Sequence, residues 1–107
     1  MNPSRVQRAR ISKLTDLPNV GPVTARQLES IGIMVPGDLE DRDPFDLFVS
    51  LCEKTGVRLD PCALDTFMSI TDFIGGNPPR PWWAFTAERK RRYGAFFGVG
   101  RKARVRG

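Results

Sequence analysis

The sequence contains no histidine. The commonest general acid or base near neutral pH is therefore missing. Cysteine is scarce as well, with only Cys52 and Cys62. Two thiols without a histidine would need carboxylates to complete a four-ligand zinc site, which is an unusual set. In a cytosolic chain such a pair is expected to be reduced, and both thiols are expected to pack as small buried hydrophobes. No apolar run approaches the roughly 18 residues that a membrane-spanning helix needs. The opening Met1-Asn2-Pro3-Ser4-Arg5 leads into charged residues rather than an apolar segment. It reads as no secretory signal, and the expected location is the cytoplasm. Convincing strand alternation is absent, as are a Gly-rich nucleotide loop and a nucleophile elbow. These gaps argue against an enzyme, and no catalytic residue, cofactor or metal is assigned. Asp60, Cys62 and Asp65 are the only cluster worth inspecting for chemistry.

What is present suits one small domain. The chain has 107 residues, 40% of them hydrophobic and 27% charged, enough for one modest core. The formal net charge is +5, and its distribution is uneven. Residues 1–13 carry four basic residues (Arg5, Arg8, Arg10 and Lys13) and no acid. Residues 14–79 carry four basic residues against eleven acidic ones, and residues 80–107 carry nine against Glu88 alone. An acidic body thus lies between two basic ends, and attraction to polyanions must come mainly from the ends.

The most informative segment runs from Leu14 to Ile33. Before it, Val6, Ala9, Ile11 and Leu14 can line one face of a first helix, which must stop near Leu17 because Pro18 cannot sit inside it. Asn19-Val20-Gly21 makes a very tight connection, since Asn and Gly best tolerate positive φ. Pro22 then occupies the first position of a second helix reaching about Ile31, where a missing N–H costs nothing. Gly32 falls at the left-handed position beyond that helix, with Ile33 packing back on Leu28. The first amides of the second helix have no partner within it, and with the helix dipole they favour a phosphate oxygen. Such a contact reads backbone, not sequence. The alternative is a hairpin that serves only as a tight connector.

Beyond Ile33, Pro36-Gly37 reads as a turn and Asp38 to Arg42 as a single helical turn. Asp43-Pro44 and Asp60-Pro61 each open a helix as N-cap and first position. Leu47, Phe48, Leu51 and Cys52 form the apolar stripe of the first, which ends at Gly56. Leu64, Phe67, Met68, Thr71 and Ile74 form the stripe of the second, which ends at Gly75-Gly76. The acids from Asp38 to Asp46 read as caps and solvated groups. A redox or metal role is the alternative for the two thiols: a helix start would lower the Cys62 pKa, but no basic partner supports catalysis. Asn77 to Pro81 is a stiff connector. Trp82, Trp83 and Phe85 are expected to clamp onto the core, with stacking on unpaired bases as the functional alternative. Thr86 caps a helix from Ala87 to about Phe97. Gly98-Val99-Gly100 argues for disorder, followed by Arg101, Lys102, Arg104 and Arg106.

The residues from Leu17 to Pro22, with Thr24-Ala25, Leu28 and Gly32-Ile33, resemble the helix-hairpin-helix signature of many DNA-handling proteins. A longer pattern narrows the likeness: Asp38-Leu39, Arg42-Asp43-Pro44, Leu47-Phe48, Leu51-Cys52, Thr55-Gly56, Asp60-Pro61-Cys62, Leu64-Asp65, Phe67 and Trp82-Trp83. Over about residues 10–88 the chain resembles the bacterial pathogenicity-locus family of small helix-hairpin-helix proteins, some labelled mitomycin-resistance proteins. It is more loosely similar to the C-terminal domain of TfoX-type competence regulators. The resemblance implies a compact helical domain. Asn19 stands where such hairpins usually have Gly, and Val23 where DNA-binding ones often carry Lys, which leaves Arg26 as the only cation on the second helix.

The expected fold is an all-α bundle of about five short helices, SAM-domain-like. Its expected parts are a basic segment (1–9), the helical domain (10–76), a packed Pro/Trp segment (77–88) and a basic tail (89–107). The expected function is non-catalytic, sequence-independent binding of a DNA or RNA backbone. The residues assigned are Asn19, Gly21, Val23, Thr24, Arg26, Arg89, Lys90, Arg91 and Arg92. The alternative is a protein-interaction or homodimerisation module with a purely structural hairpin.

Overall fold

A computed structural model describes residues 11–97. Within them the chain is all helical, with four α-helices, three short 3-10 turns and no strand. The helices are α1 (Pro22–Ser30), α2 (Pro44–Thr55), α3 (Pro61–Ile74) and α4 (Thr86–Phe97). The 3-10 turns are Leu14–Asp16, Pro36–Leu39 and Trp82–Phe85. No described helix is long and apolar enough to cross a membrane. The basic residues Arg5, Arg8, Arg10, Arg101, Lys102, Arg104 and Arg106 lie outside the described residues. So do Val6, Ala9 and the Gly98–Gly100 stretch.

Local chemistry sets most boundaries. Asp43 accepts the Asp46 N–H at 3.0 Å and Asp60 accepts the Cys62 N–H at 2.8 Å. Each carboxylate satisfies an amide that its helix leaves open, and each is followed by proline. α1 ends as its sequence demands. Gly32 takes φ +94, its N–H reaches Glu29 O at 3.1 Å, and the Ile33 N–H reaches Leu28 O at 3.0 Å. That is the paired ending a left-handed glycine allows. The same pair closes α3 through Gly76 and Asn77, onto Phe73 O and Asp72 O.

Two expected elements differ. The limb before the hairpin is, among the described residues, only the Leu14–Asp16 turn. Lys13 is extended at φ −132, and the Asp16 carboxylate accepts the N–H groups of Ser12 and Lys13, each at 3.0 Å. These bonds begin a new turn at Lys13, so no helix runs through it. The later single turn is Pro36–Leu39 rather than Asp38 to Arg42. Pro36 presets its first φ, and Asp38 folds back to accept the amides of Met34 and Val35.

The core forms around α3, which buries residues on nearly every side: Leu64, Asp65, Phe67, Met68, Ser69, Ile70 and Phe73. It packs against α2, α4 and the turns at Pro36–Leu39 and Trp82–Phe85. α1 packs on α2 and on the Leu14–Asp16 turn, adding Ala25 and Leu28 to the core. Phe85 is buried and Trp82 half-buried, so the aromatic segment does clamp inward, but Trp83 stays 61% exposed.

The division expected at residue 89 falls inside α4. Arg89 Nε lies 2.6 Å from Asp65 Oδ1. The Arg89 side chain is 10% exposed and the Asp65 side chain wholly buried. Thr86 Oγ1 donates to the other Asp65 oxygen at 2.7 Å. Further along, Tyr93 stacks on Phe45 with centroids 4.7 Å apart, and Phe96 meets Phe45 and Phe48 edge-on. Residues 85, 89, 93 and 96 recur at helical spacing on one inward face, so α4 is folded onto the body.

Candidate functional site

The Pro18–Pro22 turn is anchored from within. Asn19 takes φ +66, in the left-handed region that Asn tolerates. Its side-chain Nδ2 donates to Ser69 Oγ at 3.1 Å and to Arg80 O at 2.8 Å. One amide thus ties the Pro18–Pro22 turn to α3 and to the connector leading to α4. The side chain of Asn19 holds the turn in place.

Gly21 departs from its expected conformation. Its φ is −101 and ψ −173, extended backbone open to any residue. A Cβ built there would meet nothing within 4 Å. The fold does not require glycine at this position. Gly21 is the N-cap of α1 and has no side chain to bond the helix amides. The Ala25 N–H bonds Gly21 O at 2.9 Å. Pro22 has no N–H, which leaves the Val23 and Thr24 amides as the open donors at the helix start. Gly21, Pro22 and Val23 are exposed and Thr24 is half-buried.

The assigned cations divide into three groups. Arg26, Lys90 and Arg91 are exposed, with no ion pair among the described residues. Arg92 is exposed but pairs with Glu88 at 3.0 Å, and its guanidinium lies 4.9 Å from the Tyr93 ring centroid. Arg89 faces inward onto Asp65, which removes it from the outer surface. Arg80 also belongs to this neighbourhood, though no sequence signal marks it. Its carbonyl touches Asn19, while its guanidinium lies 4.3 Å from the Phe85 ring centroid and 3.6 Å from Asp72. A separation of 61 residues leaves no local signal for this contact.

The cluster inspected for chemistry is occupied by structural bonds. Asp65 is consumed by Thr86 and Arg89, and Asp60 caps α3. Cys52 is buried as expected, but Cys62 is exposed. The Cys62 thiol is shifted upward rather than downward, chiefly by its hydrogen bond to the Asp60 carboxylate and then by desolvation. A neighbouring anion holds the proton on sulfur. Among the described residues no group of three or more Cys, Asp or Glu is placed to hold a metal. A cleft of about 240 Å³ lies over α3 and α4, where Arg42 and Arg92 are mixed with Asp72 and Glu88. Its balanced charges favour no ligand sign.

Over the described residues, fold and site together define a small all-helical protein with an open helix start and exposed cations on α4. The chain belongs to the pathogenicity-locus family, whose model matches residues 7–91. The mitomycin resistance protein McrB of Streptomyces lavendulae is 52% identical over 80 residues, covering 75% of this chain and 76% of that protein. No solved structure matches.

Proposed function

We propose that this chain is a non-catalytic, sequence-independent binder of nucleic-acid backbone, in which the Pro18–Pro22 turn and α1 act as a helix-hairpin-helix contact. The observation that carries the reading is the open start of α1. The amides of Val23 and Thr24 stand behind a side-chain-free N-cap, beside exposed Gly21, and are positioned by Asn19. A phosphate oxygen suits such amides, since the helix dipole adds to two unsatisfied donors. Arg26 on α1 and Lys90 and Arg91 on α4 supply exposed positive charge. Val23 brings no charge, so the contact reads geometry and total charge rather than bases. The name of the Streptomyces relative suggests mitomycin challenge as the cellular setting in which to look for a phenotype.

The test is fluorescence anisotropy of the full chain with labelled duplex and single strand, from low to physiological salt. Affinity is expected in the non-specific range, about 10⁻⁴ to 10⁻⁶ M at physiological salt, and falling steeply as salt rises. In the Lys90→Ala/Arg91→Ala double variant the salt slope should flatten by about two units, one per lost phosphate contact. Absence of binding by the unaltered chain at low salt would refute the reading.

A further inference from the structure

The solvent face that runs from the Trp82–Phe85 turn into α4 combines an aromatic ring with positive charge. Trp83 is 61% exposed, although its neighbours Trp82 and Phe85 are tucked inward. Trp82 meets it edge-on, with centroids 5.5 Å apart and planes at 84°, bracing the indole from one side. Because the 3-10 turn continues directly into α4, outward positions recur at helical spacing. The exposed residues there include Trp83, Ala84, Ala87, Lys90 and Arg91. Two alanines separate the ring from the cations and leave room above the helix. Glu88, the one acid in this region, is half-buried and paired with Arg92. Helical rise puts Trp83 and Lys90 on the order of 11 Å apart along the axis, so one flexible strand can touch both.

We propose that this face is a stacking site for unpaired bases, so that the polyanion favoured by the chain is single-stranded nucleic acid. The inference rests on the backbone-binding reading above and adds the ligand's form. An exposed indole beside cations suits a base whose phosphates lie further along the strand, because every base offers a π-face and stacking needs no sequence. A duplex hides its base faces and on this face can use only the cations.

The experiment compares the full chain with Trp83→Ala and Trp83→Phe, using labelled oligothymidylate and a blunt duplex of the same length. Circular dichroism melting checks that each variant stays folded. Trp83→Ala should weaken oligothymidylate binding by on the order of tenfold with the salt slope unchanged. Trp83→Phe should keep most of the affinity, and duplex binding should shift by less than about twofold. Indole emission of the unaltered chain should be quenched by oligothymidylate. Equal losses on both ligands, or no loss on either, would overturn stacking while leaving backbone binding intact. Failure of the unaltered chain to bind either ligand would remove both readings together.

Discussion

Asp65 and Arg89 form the only ion pair among the described residues in which both side chains are largely buried. Breaking such a pair from one side leaves a charge in the core. Asp65→Asn is therefore expected to lower stability by about 3–5 kcal/mol, read from the denaturant midpoint. An apolar pair such as Asp65→Leu with Arg89→Met should recover most of that loss. A single-variant cost below about 1 kcal/mol would mean that the Asp65 pocket is wetter than its closed packing implies. The sequence read Arg89 as one of four consecutive surface cations, because a basic run is usually solvated. Only its spacing from Phe85 and Tyr93 hinted at an inward role. Asn19 was legible as a left-handed turn residue, since few residues besides Gly take positive φ readily. Its partners Ser69 and Arg80 were not, because contacts 50 and 61 residues away leave no mark on local pattern.

Elements whose ends are set by local chemistry were the easiest to read. Asp43-Pro44 and Asp60-Pro61 fix the starts of α2 and α3, and Gly32 closes α1, all through contacts within a few residues. The Leu14–Asp16 turn was not legible, because hydrophobic spacing cannot show that Asp16 gathers the amides of Ser12 and Lys13. Those caps predict an acid response. Backbone N–H bonds, from Ser12 and then Lys13 to Asp16 and from Cys62 to Asp60, hold both carboxyls below the ordinary carboxylate range. A depressed folded pKa contributes stability above the unfolded value, and the contribution is lost as pH falls through the folded one. Weakening should thus begin as pH drops below about 4 and deepen from there. Asn is also a good N-cap, so Asp60→Asn should change little at neutral pH and flatten this acid limb of a stability-versus-pH series. An acid limb identical to that of the unaltered chain would contradict this account of the α3 cap. The same element logic governs α4: a chain cut before Arg89 would strand Asp65 in the core, so substituting Lys90 and Arg91 is the cleaner probe of the basic end.

For the molecule as a whole, the charge pattern and the helical class were open in the sequence, while the assembly of the site was not. An acidic body with basic ends repels a polyanion except where cations and open amides are exposed. The Pro18–Pro22 turn reaches the connector to α4 through Asn19 and Arg80, linking the α1 start to the segment that carries Trp83. The central claim is that phosphate meets the first amides of α1. Amide proton–nitrogen NMR of the full chain during titration with a short oligonucleotide observes those groups individually. The account predicts that Gly21, Val23 and Thr24 shift early and in a salt-dependent way, together with Lys90 and Arg91. Signals of Val23 and Thr24 that stay fixed while other residues move would contradict it.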